Sequence, residues 1–304
     1  MDGKIVKTLS GSTYSTTWDT HTAGDGAHTI FAQAHDGVGA SGVSDTIEVR
    51  VDNGLVGAQV SVHTTLGLPD AATTSTTDTT HFLSVKRQYA LSYDSQRKVP
   101  NWVSWELNTS WFGAQARTNN YRVDDTLPGT LPQAQLADYA GSGYDRGHLC
   151  PAEDRTLNLT DDDATFYLTN MVPQLHANNA GPWEGLEAKA RGFANAGKEV
   201  FVIAGGVFTQ GGATIGAGQV AVPASVYKVV VVLDQVGQGP ADVTSSTRVL
   251  AVNIPNDASV TLSSPWQSYL VSVRSLESAT GLDFLSEVPR AVQDVVETRV
   301  DSGQ

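Results

Sequence analysis

The deepest apolar patterning lies in the last third of the chain. Residues 200–208 (VFVIAGGVF) and 227–233 (YKVVVVL) are near-continuous apolar runs of strand length, as expected of central strands, and residues 248–255 (RVLAVNIP) predict a third. Upstream, residues 89–93 (YALSY) and 102–107 (WVSWEL) read as aromatic-rich strands, with Pro100 just before the second. A helix is predicted from about Asn179 to Ala196, with Gly197 supplying the stop. Another is expected to open at residues 263–266 (SSPW) and to carry Tyr269, Val273, Leu276 and Glu277, and a short one covers residues 289–297. Strands clustered among segregated helices predict an α+β fold rather than an alternating, doubly wound sheet.

The first 53 residues differ in texture. Short stretches such as 28–34 (HTIFAQA) and 46–51 (TIEVRV) alternate apolar with polar between Gly and Asp clusters, which predicts about four strands. That is fewer than an immunoglobulin-like sandwich needs. The segment resembles the second half of a bacterial immunoglobulin-like domain, a β-sandwich module that would act as a spacer or adhesion unit. Residues 54–57 lead out of it, and residues 67–80, rich in Thr, Ser and Asp, read as a flexible loop or linker. The expected division is therefore 1–55 and 56–304.

Composition narrows the class. With 304 residues, 40% hydrophobic and 17% charged, wholesale disorder is excluded. No run approaches the roughly 18 apolar residues a membrane-spanning helix needs. The opening residues, MDGKIVKTLSGS, hold no apolar core before a small-residue cleavage site, so either the chain is cytosolic or it is a mature or truncated piece of something longer. A single cysteine, Cys150, forbids an internal disulfide and a Cys-rich zinc site. The net charge of -13 argues against attraction to nucleic acid over the whole surface.

The densest chemistry sits in residues 141–151 (GSGYDRGHLCP), where Asp145, Arg146 and His148 bring a carboxylate, a guanidinium and an imidazole together, with Gly147 expected to permit an unusual backbone conformation. Residues 178–187 (NNAGPWEGLE) add amides at a helix start and a carboxylate two turns on. On a helix, Asn179 and Glu187 would share neighbouring parts of one face, with Arg191 one turn beyond. Phosphodiester cleavage uses such parts: an imidazole as base near neutral pH, a hard cation on oxygen ligands, and guanidinium groups on phosphate oxygens. They come from separate segments, so spacing alone does not bring them together.

These motifs in this order, with residues 169–174 (TNMVPQ), 100–108, 117–128, 154–156 and 280–284, resemble the DNA/RNA non-specific endonuclease family of the ββα-metal superfamily, over roughly residues 60–304. The resemblance implies a central antiparallel sheet flanked by helices. It places the general base on His148, the metal-ligating asparagine on Asn179, the acidic residue that positions water on Glu187, and the upstream phosphate-facing arginine on Arg117, with Arg122 as the competing candidate. Arg146 and Arg191 match family arginines near the scissile phosphate. Asp145, counted with the substrate-binding residues, is expected to orient the turn rather than to titrate. Glu153, where a small residue is usual, and His176 depart from the family pattern.

The implied activity is a Mg2+-dependent endonuclease, with Mn2+ as an alternative ion, acting on DNA and RNA with little sequence preference and leaving 5′-phosphate and 3′-hydroxyl ends. An inhibitor protein is an open partner, and an extracellular or cell-surface location is expected. Local positive potential from Arg117, Arg122, Arg146, Arg155, Lys189 and Arg191 would have to offset the negative whole, with many carboxylates away from the groove. The rival class is a catalytically inactive polyanion-binding or adhesion protein at the cell surface.

Overall fold

The computed structural model describes residues 61–304 throughout and, before them, Ile5, residues 7–10, Trp18 and residues 26–51. Residues 54–57, read as the exit from the first segment, lie outside the described residues. The chain divides into two compact units, Met1–Val60 and Ser61–Gln304. In the first, β1 (Gly26–Ile30) pairs antiparallel with β4 (Ile47–Val51), and β2 (Gln33–His35) pairs antiparallel with β3 (Ser41–Val43).

The second unit is built on a six-stranded sheet. Its strands are β5 (Phe82–Val85), β6 (Ala90–Asp94), β7 (Val99–Leu107), β10 (Glu199–Val207), β13 (Ser225–Leu233) and β14 (Arg248–Pro255). They lie in the order β14-β13-β10-β7-β6-β5, and every neighbouring pair is antiparallel. The continuous apolar runs of β10 and β13 are explained by burial on both faces. Val200, Val202, Val226 and Val230 point into one core, whereas Phe201, Ile203, Val229 and Val231 point into another. The helices Val273–Thr280 and Arg290–Val296 cover the second face through Val273, Leu276 and Val296. The first face carries the site. The fold is α+β with a central antiparallel sheet.

Two expectations need correction. Residues 67–80 are not a loose linker. Ala72 is buried, Thr73 bridges to Phe82, and Asp70 accepts a 2.7 Å hydrogen bond from Ser92. The polar residues there fold into self-bonded turns, as Asp78 does with Thr80 and His81, so their composition reflects turn chemistry rather than solvation. The helix expected from residue 263 is two pieces, a 3₁₀ turn at Trp266–Tyr269 and then the helix Val273–Thr280. Between them Leu270 bridges to Val252 on the sheet edge, and Ser272 caps the new start by accepting the N–H of Ser275.

Candidate active site

A short ribbon and a helix form the scaffold. Strand β8 (Asp145–His148) pairs antiparallel with β9 (Met171–Gln174), setting Asp145 opposite Gln174 and His148 opposite Met171. The chain then passes through one turn (His176–Asn178) and a π-type turn (Asn179–Trp183) into the long helix Glu184–Asn195. Leu186, Ala190 and Ala194 of that helix, spaced at four residues, are buried in the first core. The predicted helix therefore exists, with an irregular first turn. At the kink Gly181 lies so close to the 261–262 backbone that a Cβ would stand 3.1 Å from Leu262 Cα.

Gly147 serves a different purpose from the one expected. It is absent from the glycines with positive φ; instead a Cβ there would lie 2.1 Å from Gln174 Oε1. The residue is small because a buried amide crosses over it.

His148 and Asn179 both line a cavity of about 210 Å³, together with Arg117, Tyr121, Arg146, Glu153, Glu184, Glu187 and Arg191. The imidazole of His148 is buried and packed edge-on by Tyr121 and Phe166, at centroid distances of 5.6 and 5.0 Å. Trp183 donates its indole N–H to the His148 carbonyl at 3.0 Å, tying the strand to the helix start. Burial, and then the cations of Arg117 and Arg146, hold the ring's pKa down to about 3. The ring is thus neutral at pH 7. Its Nε2 is buried with no hydrogen-bond partner among the described residues, which leaves Nδ1 as the nitrogen that can meet the cleft.

Asn179 is the first residue of the π-type turn, and the cap position falls on Asn178. Nδ2 of Asn179 donates to Asp145 Oδ2 at 3.0 Å, and the same carboxylate oxygen contacts Nδ1 of His176 at 2.8 Å. Asp145 therefore faces the amide of Asn179. The amide's oxygen, Oδ1, accepts no hydrogen bond among the described residues.

Glu187 is not a surface partner of Arg191. It is buried and takes a 3.0 Å hydrogen bond from Nζ of Lys228, a fully buried lysine on β13 whose ammonium lies 3.8 Å from the Trp183 ring centroid. Arg191 pairs with Asp154 at 3.0 Å, and Asp154 also accepts the indole N–H of Trp105. Burial raises the Glu187 carboxyl to about 7 and lowers Lys228, even though the two attract each other. Lys228 escaped the sequence reading, but it left a signal: one ammonium inside an apolar strand must have a buried partner.

The arginines divide in two. Arg117, Arg146 and Arg191 line the cleft. Arg122 does not; its Nη1 is spent on the carbonyls of Asn120 and Asp163, and its guanidinium stacks 4.2 Å from the Tyr167 centroid. Arg155 is fully buried and bonded to the carbonyls of Gln88, Asp154 and Glu106, so it faces no solvent. Lys189 lies over Phe193, also away from the cleft lining. The cleft holds three arginines and three glutamates, so the carboxylates do not all lie elsewhere. The acidic run at 161–163 lies at the start of a short helix (Leu159–Ala164) capped by Asn158, with Asp161 and Asp162 fully buried.

With this geometry in view, comparison with known proteins is specific. The model of the DNA/RNA non-specific endonuclease family matches residues 70–291. A protein described as a nuclease from Nostoc sp. is 46% identical over 243 residues, covering 80% of this chain and 87% of its own. The mitochondrial nuclease EXOG of Xenopus laevis is 32% identical over 219 residues, covering 67% of this chain and 59% of its own length. A crystal structure of an EndoG/EndoGI complex superposes with a TM-score of 0.63 at 29% identity, covering 75% of this chain and 91% of that one. A buried neutral imidazole, an amide oxygen and three arginines in one cleft, on a chain matched over most of its length, lead to one assignment: the chain belongs to the DNA/RNA non-specific endonuclease family.

Proposed function

We propose that the protein is an endonuclease that hydrolyses phosphodiester bonds in both DNA and RNA with little regard for sequence, aided by Mg2+, with Mn2+ as a substitute. The observation that carries this reading is the meeting in one cleft of His148, Asn179 and three arginines drawn from separate segments. Asn179 suits a hard cation, because its nitrogen is committed to Asp145 and its oxygen is left over as a donor. A magnesium ion held there with water would supply positive charge against the departing oxygen.

The remaining work falls to the chain's own groups. His148, neutral at pH 7, accepts at Nδ1 a proton from the attacking water as its oxygen bonds to phosphorus. The bond from phosphorus to the 3′-oxygen breaks, and that oxygen takes a proton from solvent, which leaves 5′-phosphate and 3′-hydroxyl ends. Arg117, Arg146 and Arg191 donate to the phosphate oxygens, where such preorganised charge contributes most. Arg117 fills this role in preference to Arg122, whose Nη1 donates to two carbonyls. Asp145 orients Asn179, and Glu187, held by Lys228, orients the water. Indifference to the sugar follows from contacts to phosphates, which DNA and RNA share.

An extracellular or cell-surface setting fits the β-rich N-terminal unit, which we read as part of an immunoglobulin-like module. A protein inhibitor is a partner consistent with this reading, since the similar solved structure is an EndoG/EndoGI complex. The direct test is incubation with plasmid DNA and with total RNA, with Mg2+ or with chelator, followed by end analysis. Cleavage of both, lost on chelation and leaving 5′-phosphates, is expected. Binding without cleavage under every condition would make the protein a polyanion binder.

A further inference from the structure

Among the three cleft arginines, Arg117 is held unusually well. Its Nε donates to Asn119 Oδ1 at 2.9 Å, its Nη2 to the Tyr121 hydroxyl at 3.2 Å, and its guanidinium stacks 5.0 Å from the Phe166 centroid. These three contacts engage Nε, Nη2 and one face of the group. Yet Nη1 is also engaged, by Glu153 Oε1 at 3.0 Å. Glu153 stands on the 3₁₀ turn Ala152–Asp154, lines the same cleft, and keeps 47% of its side chain exposed. Arg191 also feels its charge. Arg146, by contrast, has no carboxylate partner among the described residues.

We propose that Glu153 is a built-in competitor for phosphate: its carboxylate occupies the edge of Arg117 that a substrate phosphate must take, so each binding event exchanges one anion for another. The inference rests on the nuclease reading and adds to it a residue that sets affinity. A carboxylate offers the same bidentate-capable oxygens to a guanidinium as a phosphate does, and the pair is exposed enough to open without unfolding anything. Two consequences follow. Without Glu153, the cleft would hold three arginines against two glutamates, and nucleic acid would bind more tightly. The salt dependence would also change, because a free Arg117 gathers a solution anion that phosphate then releases, whereas an Arg117 already paired with Glu153 has none to release.

The test is Glu153→Gln, made both in the parent and in a His148→Ala background that blocks turnover. A fluorescein-labelled single-stranded oligodeoxynucleotide is titrated against the His148→Ala proteins in Mg2+ at several salt concentrations. E153Q is expected to bind about two- to fivefold tighter, the range for releasing an exposed ion pair. Its plot of log affinity against log salt should steepen by about 0.7, one single-strand phosphate contact. In the parent background KM falls by a similar factor while kcat changes less than KM. Weaker binding, or an unchanged slope, overturns the assignment and makes Glu153 a prop for Arg117. The two readings separate on the parent protein. Cleavage by the parent with no gain in E153Q overturns only the role of Glu153, whereas neither cleavage nor binding by the parent overturns the nuclease reading and this one with it.

Discussion

His63 and His148 are both buried, and both rings are held down to about 3, chiefly by desolvation with arginine charges adding to it. Their surroundings differ in one respect. Nδ1 of His63 accepts the N–H of Glu106 at 3.1 Å, and its Nε2 donates to the Arg87 carbonyl at 2.7 Å, so both nitrogens are used. His148 has a buried Nε2 with no partner among the described residues and a ring that borders the cleft. A depressed pKa therefore does not distinguish a structural histidine from a reactive one. Unspent hydrogen-bonding capacity at an accessible cavity does.

The largest expected contrast is in rate. His148→Ala should lower cleavage by about 10²–10⁴-fold, the usual contribution of a general base, while oligonucleotide binding and the unfolding midpoint stay near those of the parent. His63→Ala should do the reverse. It leaves the Glu106 N–H without its partner and weakens folding by about 1–3 kcal/mol, with cleavage per folded molecule unchanged. Equal losses of rate in the two variants would erase the distinction.

Next comes the buried pair of Lys228 and Glu187 beside the cleft. Lys228→Met strands Glu187 beside Asp154 and is expected to weaken folding by about 3–5 kcal/mol, measured by chemical denaturation. Adding Glu187→Gln removes the stranded charge and should restore most of that stability but not the activity. If Lys228→Met proves as stable as the parent, the pair does not hold Glu187.

The smallest effect is on acid sensitivity, and its sign is fixed. In the unfolded chain both histidines titrate near 6.5, whereas folded they stay neutral down to about 3. Below pH 6.5 the unfolded state takes up protons that the folded state refuses. Each ring then withdraws up to about 1.4 kcal/mol of stability per pH unit until the folded pKa is reached. Glu187 and Glu297, raised to about 7, oppose this between their unfolded pKa and about pH 7. Comparing variants with the parent cancels that common term. Unfolding free energy measured from pH 6.5 to 4.5 should fall less steeply in His63→Asn and in His148→Asn. A slope unchanged in either variant means that ring is protonated in the fold.

The parts of the site that were legible in sequence were those carried by local motifs. Glu187 and Arg191 sit one turn apart on the same helix, so helical spacing alone fixed their relation, whereas the meeting of that helix with His148 on the ribbon is seen only in the fold. What escaped were long-range partners. Lys228 reaches Glu187 across 41 residues of sequence, and Phe166 closes the cage around His148 from a third segment. Arg122 and Arg155 show the opposite failure. As cations near the motifs they suggested phosphate contacts, but a guanidinium also bonds readily to backbone carbonyls, and sequence does not show which it does. The sheet followed from the apolar runs. The packed 67–80 segment did not, because turns made of Asp, Ser and Thr look like linkers in composition.

The convergence of these segments on one phosphorus is best tested by a crystal structure of the His148→Ala protein with Mg2+ and a short oligonucleotide. A backbone phosphate is expected between residue 148 and the Asn179 amide, with Arg117 and Arg146 on its oxygens. A nucleic acid strand lying instead in the cavity of about 270 Å³ lined by Asp70, His81, Arg97 and Phe208, with the His148 cleft empty, would contradict the account.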